Sequence, residues 1–326
     1  MTLPQEAGDE RLAHGITVVD TGFVRPRFDA AYLVVEEGRA AVIDTGTNAA
    51  VPRILAALAA QGLEPAQVDW VIPTHIHLDH AGGAGLLMQQ LPNARLLVHP
   101  RGARHMVDPS QLMAGVRAVY GEEAVRRDYG ELVPVPAQRV LAAEDGMVVH
   151  LAQRPLRLLD TPGHARHHLC VWDEASGGCF TGDTLGVSYR EFHTARWHYA
   201  LPSSSPVQYD PVALHASVAR LLSLRPALAF ITHYGAVAQV EAQADMVLRQ
   251  SDAMAALAQR LRDAPDFGPR LRDGLRRIYL AEARSRKVGL GDDEILQLVQ
   301  ADVELNAQGL AIWLGSGSAP AGAAAQ

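Results

Sequence analysis

Lysine is almost absent from this chain: Lys287 is the only one, and the other fixed cations are arginine. Lysine and arginine together number 29 against 36 aspartates and glutamates, which leaves a net charge of -7. A nucleic-acid surface needs a basic patch or stripe, so no nucleic-acid partner is expected. Cysteine is nearly absent too. Cys170 and Cys179 cannot make the framework of a disulfide-stapled protein. They fall on runs 168–173 and 178–182, which look like a hairpin, and are read as reduced and half-buried. Long apolar runs are missing: the longest, such as 54–60, are far short of a membrane span. Met1 to Arg11 carries Glu6, Asp9 and Glu10 and has no apolar centre, so it is not read as a signal peptide. These absences lead to an expected cytoplasmic location, a small-molecule partner and no membrane partner.

Core-forming residues are plentiful. Hydrophobic residues make up 48% of the 326, enough for one large domain or two small ones. Gly15–Val19, Ala31–Glu36 and Arg39–Asp44 are apolar and β-rich, with a tight turn at Glu36-Glu37-Gly38. A helix is predicted from Asn48 to Gln61, where Val51, Ile54, Leu55 and Leu58 share a face and Gly62 ends the run. A short strand at 70–73, a helix over 82–90 and a strand over 94–99 follow, then a polar helical stretch from 101 to 129. Strands are predicted at 147–151, 156–161, 169–173, 179–181 and 227–232, with a helix from Asp210-Pro211 to Ser223. This order suits an α/β architecture, an αββα sandwich of two mixed sheets with helices outside. After Tyr234 only helices are predicted, at 238–261, 270–285 and 292–306, with Ile278, Tyr279, Ile295, Leu298 and Trp313 as apolar anchors. The expected organisation is a catalytic domain over 1–237 and a helical extension over 238–314 packed on it. That extension would cover the pocket mouth or make a homodimer contact. The tail 315–326, built of small residues, is expected to be disordered.

The chemistry is concentrated in Thr74-His75-Ile76-His77-Leu78-Asp79-His80. Four residues able to ligate a metal occupy six positions after a buried strand. Imidazole and carboxylate are natural ligands for zinc, iron or manganese. On a strand-end loop, His75 and His77 can turn to one ion while Asp79 and His80 turn to a neighbour. Gly82 and Gly83 let the next helix begin close by. Three more candidates each follow an apolar strand: His164 in DTPGH, Asp183 in FTGDT and His233 in FITHY. Ligands at the ends of separate strands can converge on one edge of a sandwich.

With these motifs the chain resembles metallo-β-lactamase-fold hydrolases of the glyoxalase II and lactonase type, over roughly residues 15–240. The matching features are His-x-His-x-Asp-His at 75–80, His164, Asp183, His233 and the early strand ending Val42-Ile43-Asp44-Thr45-Gly46. The resemblance implies two divalent ions per chain, with zinc favoured and iron or manganese compatible. One would sit at His75, His77 and His164, the other at Asp79, His80 and His233, with Asp183 bridging. It implies hydrolysis of a small thioester, lactone or other ester by a metal-activated water, with Asp79 and Asp183 fixing that water. The alternatives are a phosphodiesterase and a non-hydrolytic diiron protein that binds or senses oxygen. Antibiotic hydrolysis is not expected, because zinc β-lactamases lack the bridging Asp and often use a Cys ligand. Asp44 is read as a carboxylate that orients a ligand histidine.

The loop Thr184–Tyr209 is dense in aromatic and polar residues, as pocket walls are. Tyr189 and His193 are candidate proton donors there, as is Tyr234 after the last motif histidine. Arg190, Arg196, Trp197 and the later Tyr234 are candidate substrate contacts, since guanidinium forks suit carboxylates and phosphates. His14, His99, His105, His150 and His215 are read as structural or exposed, and His167 and His168 as neighbours of the ligands.

Overall fold

The computed structural model describes residues 9–194, 198–204 and 207–315. By contacts the chain forms two compact units. The first holds Met1–Asp160, His167–Gly182 and Leu224–Val240; the second holds Thr161–Arg166, Asp183–Ser223 and Glu241–Gln326.

The first unit contains both sheets. One has seven strands in sequence order: β1 (Glu10–Arg11), β2 (Ile16–Asp20), β3 (Ala30–Glu36), β4 (Arg39–Ile43), β5 (Val68–Ile72), β6 (Arg95–Val98) and β7 (Val140–Ala142). β1 to β4 pair antiparallel and β4 to β7 pair parallel. The β3–β4 hairpin turns through Glu37 and Gly38, both at positive φ (45° and 74°). That backbone matches the twist of the flanking strands and suits a glycine. Parallel pairing needs crossovers. They are α1 (Val51–Ala60), then α2 (Leu78–Ala81) and α3 (Ala84–Gln90), then α4 (Pro100–Val107), α5 (Ser110–Tyr120) and α6 (Glu122–Asp128).

The second sheet has six strands: β8 (Val148–Leu151), β9 (Arg154–Asp160), β10 (Leu169–Asp173), β11 (Gly178–Gly182), β12 (Leu228–Ile231) and β13 (Gly235–Val237). All neighbours are antiparallel except β11 and β12. Two-residue alternation splits the core. Along β3, Ala31 and Leu33 join α1 and α3 residues Ile54, Leu58 and Leu87 in one cluster. Ala30, Tyr32 and Val34 join Leu156, Leu158, Val171, Phe180 and Phe230 of the second sheet in another. The buried Tyr32 hydroxyl donates to the Ile231 carbonyl at 2.5 Å, tying the sheets together near a strand end.

The second unit is largely helical: α7 (Pro211–Ser223), α8 (Val240–Leu261, from its second residue), α9 (Phe267–Ser285), α10 (Asp292–Leu298) and α11 (Gln300–Gly315). Of the expected anchors, Tyr279 and Ile295 are buried (0% and 2% exposed), and Ile278, Leu298 and Trp313 are half-buried. Two mixed sheets flanked by helices, followed by C-terminal helices, is the predicted architecture.

Several boundaries differ from the sequence reading. The helix predicted from Gly82 starts at Leu78, inside the motif, and restarts at Ala84. The 101–129 stretch is three helices, broken at Asp108-Pro109 and at Gly121, whose φ is 82°. The final helix predicted over 292–306 divides after Leu298. It then runs on to Gly315, because Leu310 and Leu314 continue its buried face. Gly315 therefore belongs to a helix, and the remainder of the predicted tail lies outside the described residues. Cys170 and Cys179 are fully buried (0% and 1% exposed), not half-buried, because β10 and β11 are interior strands of their sheet. Among the described residues no helix is long and apolar enough to cross a membrane.

Candidate metal centre

In the first unit β5 ends at Ile72, and the chain turns through Pro73 into Thr74–His80. The turn brings imidazoles together. His75 Nε2 lies 2.8 Å from His77 Nδ1, and the His75 and His80 rings are 3.9 Å apart at their centroids. The donor atoms of Asp79, His80 and His233 all lie within 4.8 Å of one another. An Asp79 carboxylate oxygen is 3.6 Å from His233 Nε2 and 3.9 Å from His80 Nε2. The approach depends on glycine: a Cβ on Gly83 would sit 2.7 Å from the Thr47 carbonyl oxygen and 2.9 Å from that of Thr45.

Fixed acceptors hold two of these histidines. Asp44, 1% exposed with φ at 54°, accepts from Thr74 N–H at 2.7 Å, from the Thr74 hydroxyl at 3.0 Å and from the Thr232 hydroxyl at 2.7 Å. Its Oδ2 also lies 3.0 Å from His80 Nδ1. The Phe28 carbonyl lies 2.9 Å from His233 Nδ1. A carbonyl or carboxylate oxygen can only accept, so both imidazoles carry their proton on Nδ1 and present the Nε2 lone pair.

Desolvation acts to raise the Asp79 carboxyl, but His80, His233 and His77 outweigh it and hold it well below the usual carboxylate range. Asp29 is opposite: complete burial pushes it up to about 7 against the pull of His233 and His80. The Thr21 hydroxyl donates to its Oδ2 at 2.8 Å.

The second unit holds His164 and Asp183, with His164 Nε2 3.6 Å from Asp183 Oδ2. His164 Nδ1 donates to the Ser203 carbonyl at 3.0 Å, so this histidine too presents Nε2. In the following loop, Tyr189 is buried (2% exposed) and its hydroxyl donates to the Asp302 carboxylate at 3.0 Å. His193 Nε2 lies 3.0 Å from the Ser188 hydroxyl, and its ring stacks on His198 at 4.2 Å. Burial, then His198 and Arg190, lower His193 to about 4. Arg190 is half-buried, and Arg196 and Trp197 lie outside the described residues. Tyr234, 1% exposed, belongs to the core between the sheets.

The sequence profile of the Metallo-beta-lactamase superfamily matches residues 24–233, which include all seven motif positions. The chain belongs to that superfamily. A metallo-beta-lactamase fold-containing protein of Sulfurisphaera tokodaii is 27% identical over 175 residues, 52% of this chain and 62% of that one. A hydroxyacylglutathione hydrolase of Aeromonas hydrophila is 26% identical over 201 residues, 61% of this chain and 59% of that one. This chain thus matches about 60% of the length of these two curated relatives. The crystal structure of an archaeal metallo-beta-lactamase superfamily protein from Sulfolobus tokodaii aligns with a TM-score of 0.64 at 22% identity, over 92% of this chain and 99% of that one. At that identity the likeness is one of fold.

The donor chemistry of this metallo-β-lactamase superfamily chain fits a divalent cation. Two imidazole nitrogens and a carboxylate oxygen lie within 4.8 Å of one another, and each imidazole has its other nitrogen on a fixed acceptor. His168 is buried and stacks on His75 at 4.9 Å, and His167 is 7% exposed. His99 instead caps α4 by accepting from Arg101 N–H, and its Nε2 lies 3.2 Å from Asp160. The sequence alone does not reveal Phe28, Asp29, Thr232 and Ser203. Two of these act through backbone carbonyls, which no residue type announces. The polarity of Asp29 between Phe28 and the apolar Ala30 was the one available signal.

Proposed function

We propose that this chain is a metal-dependent hydrolase whose dinuclear centre cleaves a small thioester, lactone or other ester. The ligands in this reading are His75, His77 and His164 for one ion and Asp79, His80 and His233 for the other, with Asp183 shared. Zinc is the proposed metal, and iron or manganese would suit the same donors. The carrying observation is the cluster of Asp79, His80 and His233 donor atoms within 4.8 Å, with His80 braced by Asp44. When bound, such ions acidify a water and polarise the substrate carbonyl. His80, His233 and His77 favour the ionised form of Asp79, so it is proposed as an acceptor. Asp183 is proposed as the second acceptor. The Tyr189 hydroxyl is committed to Asp302 and His193 is stacked within its own loop, so both are assigned to shaping that loop. Arg190 is proposed to pair with a substrate carboxylate. The thioester among these candidates follows the relative named as a hydroxyacylglutathione hydrolase.

The test is elemental analysis of protein purified without added metal and again after reconstitution, followed by assays on glutathione thioesters, lactones and phosphodiesters. Two metals per chain with ester or thioester turnover is the expected result. Asp183→Ala should disturb both sites together. A metal content that never exceeds one, or turnover confined to phosphodiesters, would overturn the reading.

A further inference from the structure

The loop after Asp183 is gripped by helices of its own unit. Gln243 on α8 donates to the Leu185 carbonyl at 3.0 Å, and Gln250 on the same helix donates to that of Ala200 at 2.7 Å. Asn306 on α11, 2% exposed, is the most engaged of these residues. Its Oδ1 accepts from Ser204 N–H at 2.6 Å and from the Ser204 hydroxyl at 3.0 Å. Its Nδ2 donates to the Pro202 carbonyl at 3.0 Å and to the Tyr279 hydroxyl at 2.6 Å. A side-chain amide has two donor hydrogens and one acceptor oxygen, and all are in use. Between the two clamped residues stands Ser203, whose carbonyl receives the His164 Nδ1 proton.

We propose that Asn306 is a positioning residue for His164: by clamping Pro202 and Ser204, it fixes the Ser203 carbonyl that sets the tautomer and ring orientation of that histidine. The C-terminal helix thereby governs metal affinity at a residue far away in sequence. The inference rests on the reading of His164 as a metal ligand. Removing the amide leaves the Ser204 N–H and the Pro202 carbonyl without their partner, so the strap between them relaxes and the Ser203 carbonyl moves. Loss of the groups that orient a ligand histidine weakens metal binding by about 10–100-fold.

Cobalt(II) is the probe. Chelator competition gives its affinity and the visible absorption spectrum reports ligand geometry, for wild type, Asn306→Ala, Ser204→Ala, Tyr279→Phe and His164→Ala. Circular dichroism and melting of the chelator-treated proteins report the fold. Asn306→Ala should weaken one cobalt site by about 10–100-fold and shift its spectrum while the fold is kept. Ser204→Ala, which keeps the clamp's backbone bonds, should do so more weakly, and it carries the test if Asn306→Ala does not fold. Tyr279→Phe takes a partner from Asn306 but leaves the clamp, so it should lower melting without moving the spectrum. If His164→Ala loses a cobalt site while Asn306→Ala and Ser204→Ala keep wild-type affinity and spectrum, the inference is overturned and the site reading stands. Full cobalt content and an unchanged spectrum in His164→Ala would overturn the site reading itself, and the inference with it.

Discussion

His80 shows how much rests on one proton. Its Nδ1 faces Asp44 Oδ2 at 3.0 Å, and its Nε2 lies near Asp79 and His233. Asp44→Asn tests this directly. Asparagine tolerates the positive φ at this position, so the backbone is preserved. With its oxygen on Thr74 N–H, however, the amide must turn an N–H donor toward His80. The imidazole then accepts at Nδ1 and carries its proton on Nε2, the atom needed for a metal. Metal affinity should fall by about 10–100-fold with near-native circular dichroism, and unchanged affinity by chelator competition would remove Asp44 from this role. At this scale the six-residue motif was legible because its ligands are contiguous, and Asp44 because an acid at the end of an apolar strand stands out. Phe28 and Ser203 were not legible: each contributes a carbonyl that every residue owns, and each meets a histidine from a distant segment (|i−j| of 205 and 39).

The loop after Asp183 combines a small bridge, Val187 with Leu201, and one turn of 3-10 helix at Arg190–Phe192. Its aromatic density reads from sequence as a pocket wall, yet Tyr189, Phe192 and Tyr199 are buried at 2%, 0% and 0% exposure. Packing within the unit accounts for them. Sequence alone does not separate these outcomes, since an aromatic side chain suits a ligand wall and a core equally. His193 gives the loop a pH response. Its folded value near 4 lies below the ordinary 6.5. Between those values the unfolded chain binds more protons than the folded one, so stability contributed above about pH 6.5 is lost as pH falls toward 4. Melting temperature should therefore drop across that window. His193→Gln should flatten part of the drop, whereas identical curves for the two proteins would show that this histidine does not titrate on unfolding.

For the whole molecule, the two sheets were the most legible feature, because two-residue alternation and turn residues mark strands directly. The C-terminal helices were legible as helices, but their lengths were not: the break after Leu298 and the run to Gly315 follow from packing. A cluster of imidazoles and a carboxylate also links the folded state to metal. A ligand held at a hundred times its dissociation constant adds about 2.7 kcal/mol, or roughly 4 °C for a chain of this size. Exhaustive chelation should lower the melting temperature by that order, and re-added metal should restore it. Superimposable melting curves with and without chelator would mean that the cluster holds nothing.

The path of the chain through the first unit also bears on how it is made. β12 lies next to β11 in the second sheet, but residues 183–223 of the other unit are synthesised between them. The hydroxyl of Tyr32 waits for the carbonyl of Ile231, 199 residues later in the chain. His80 likewise waits for His233. Strand β11 therefore gains its neighbour β12 only after residues 183–223 have been made. β12 and β13 close the sheet and deliver His233 together.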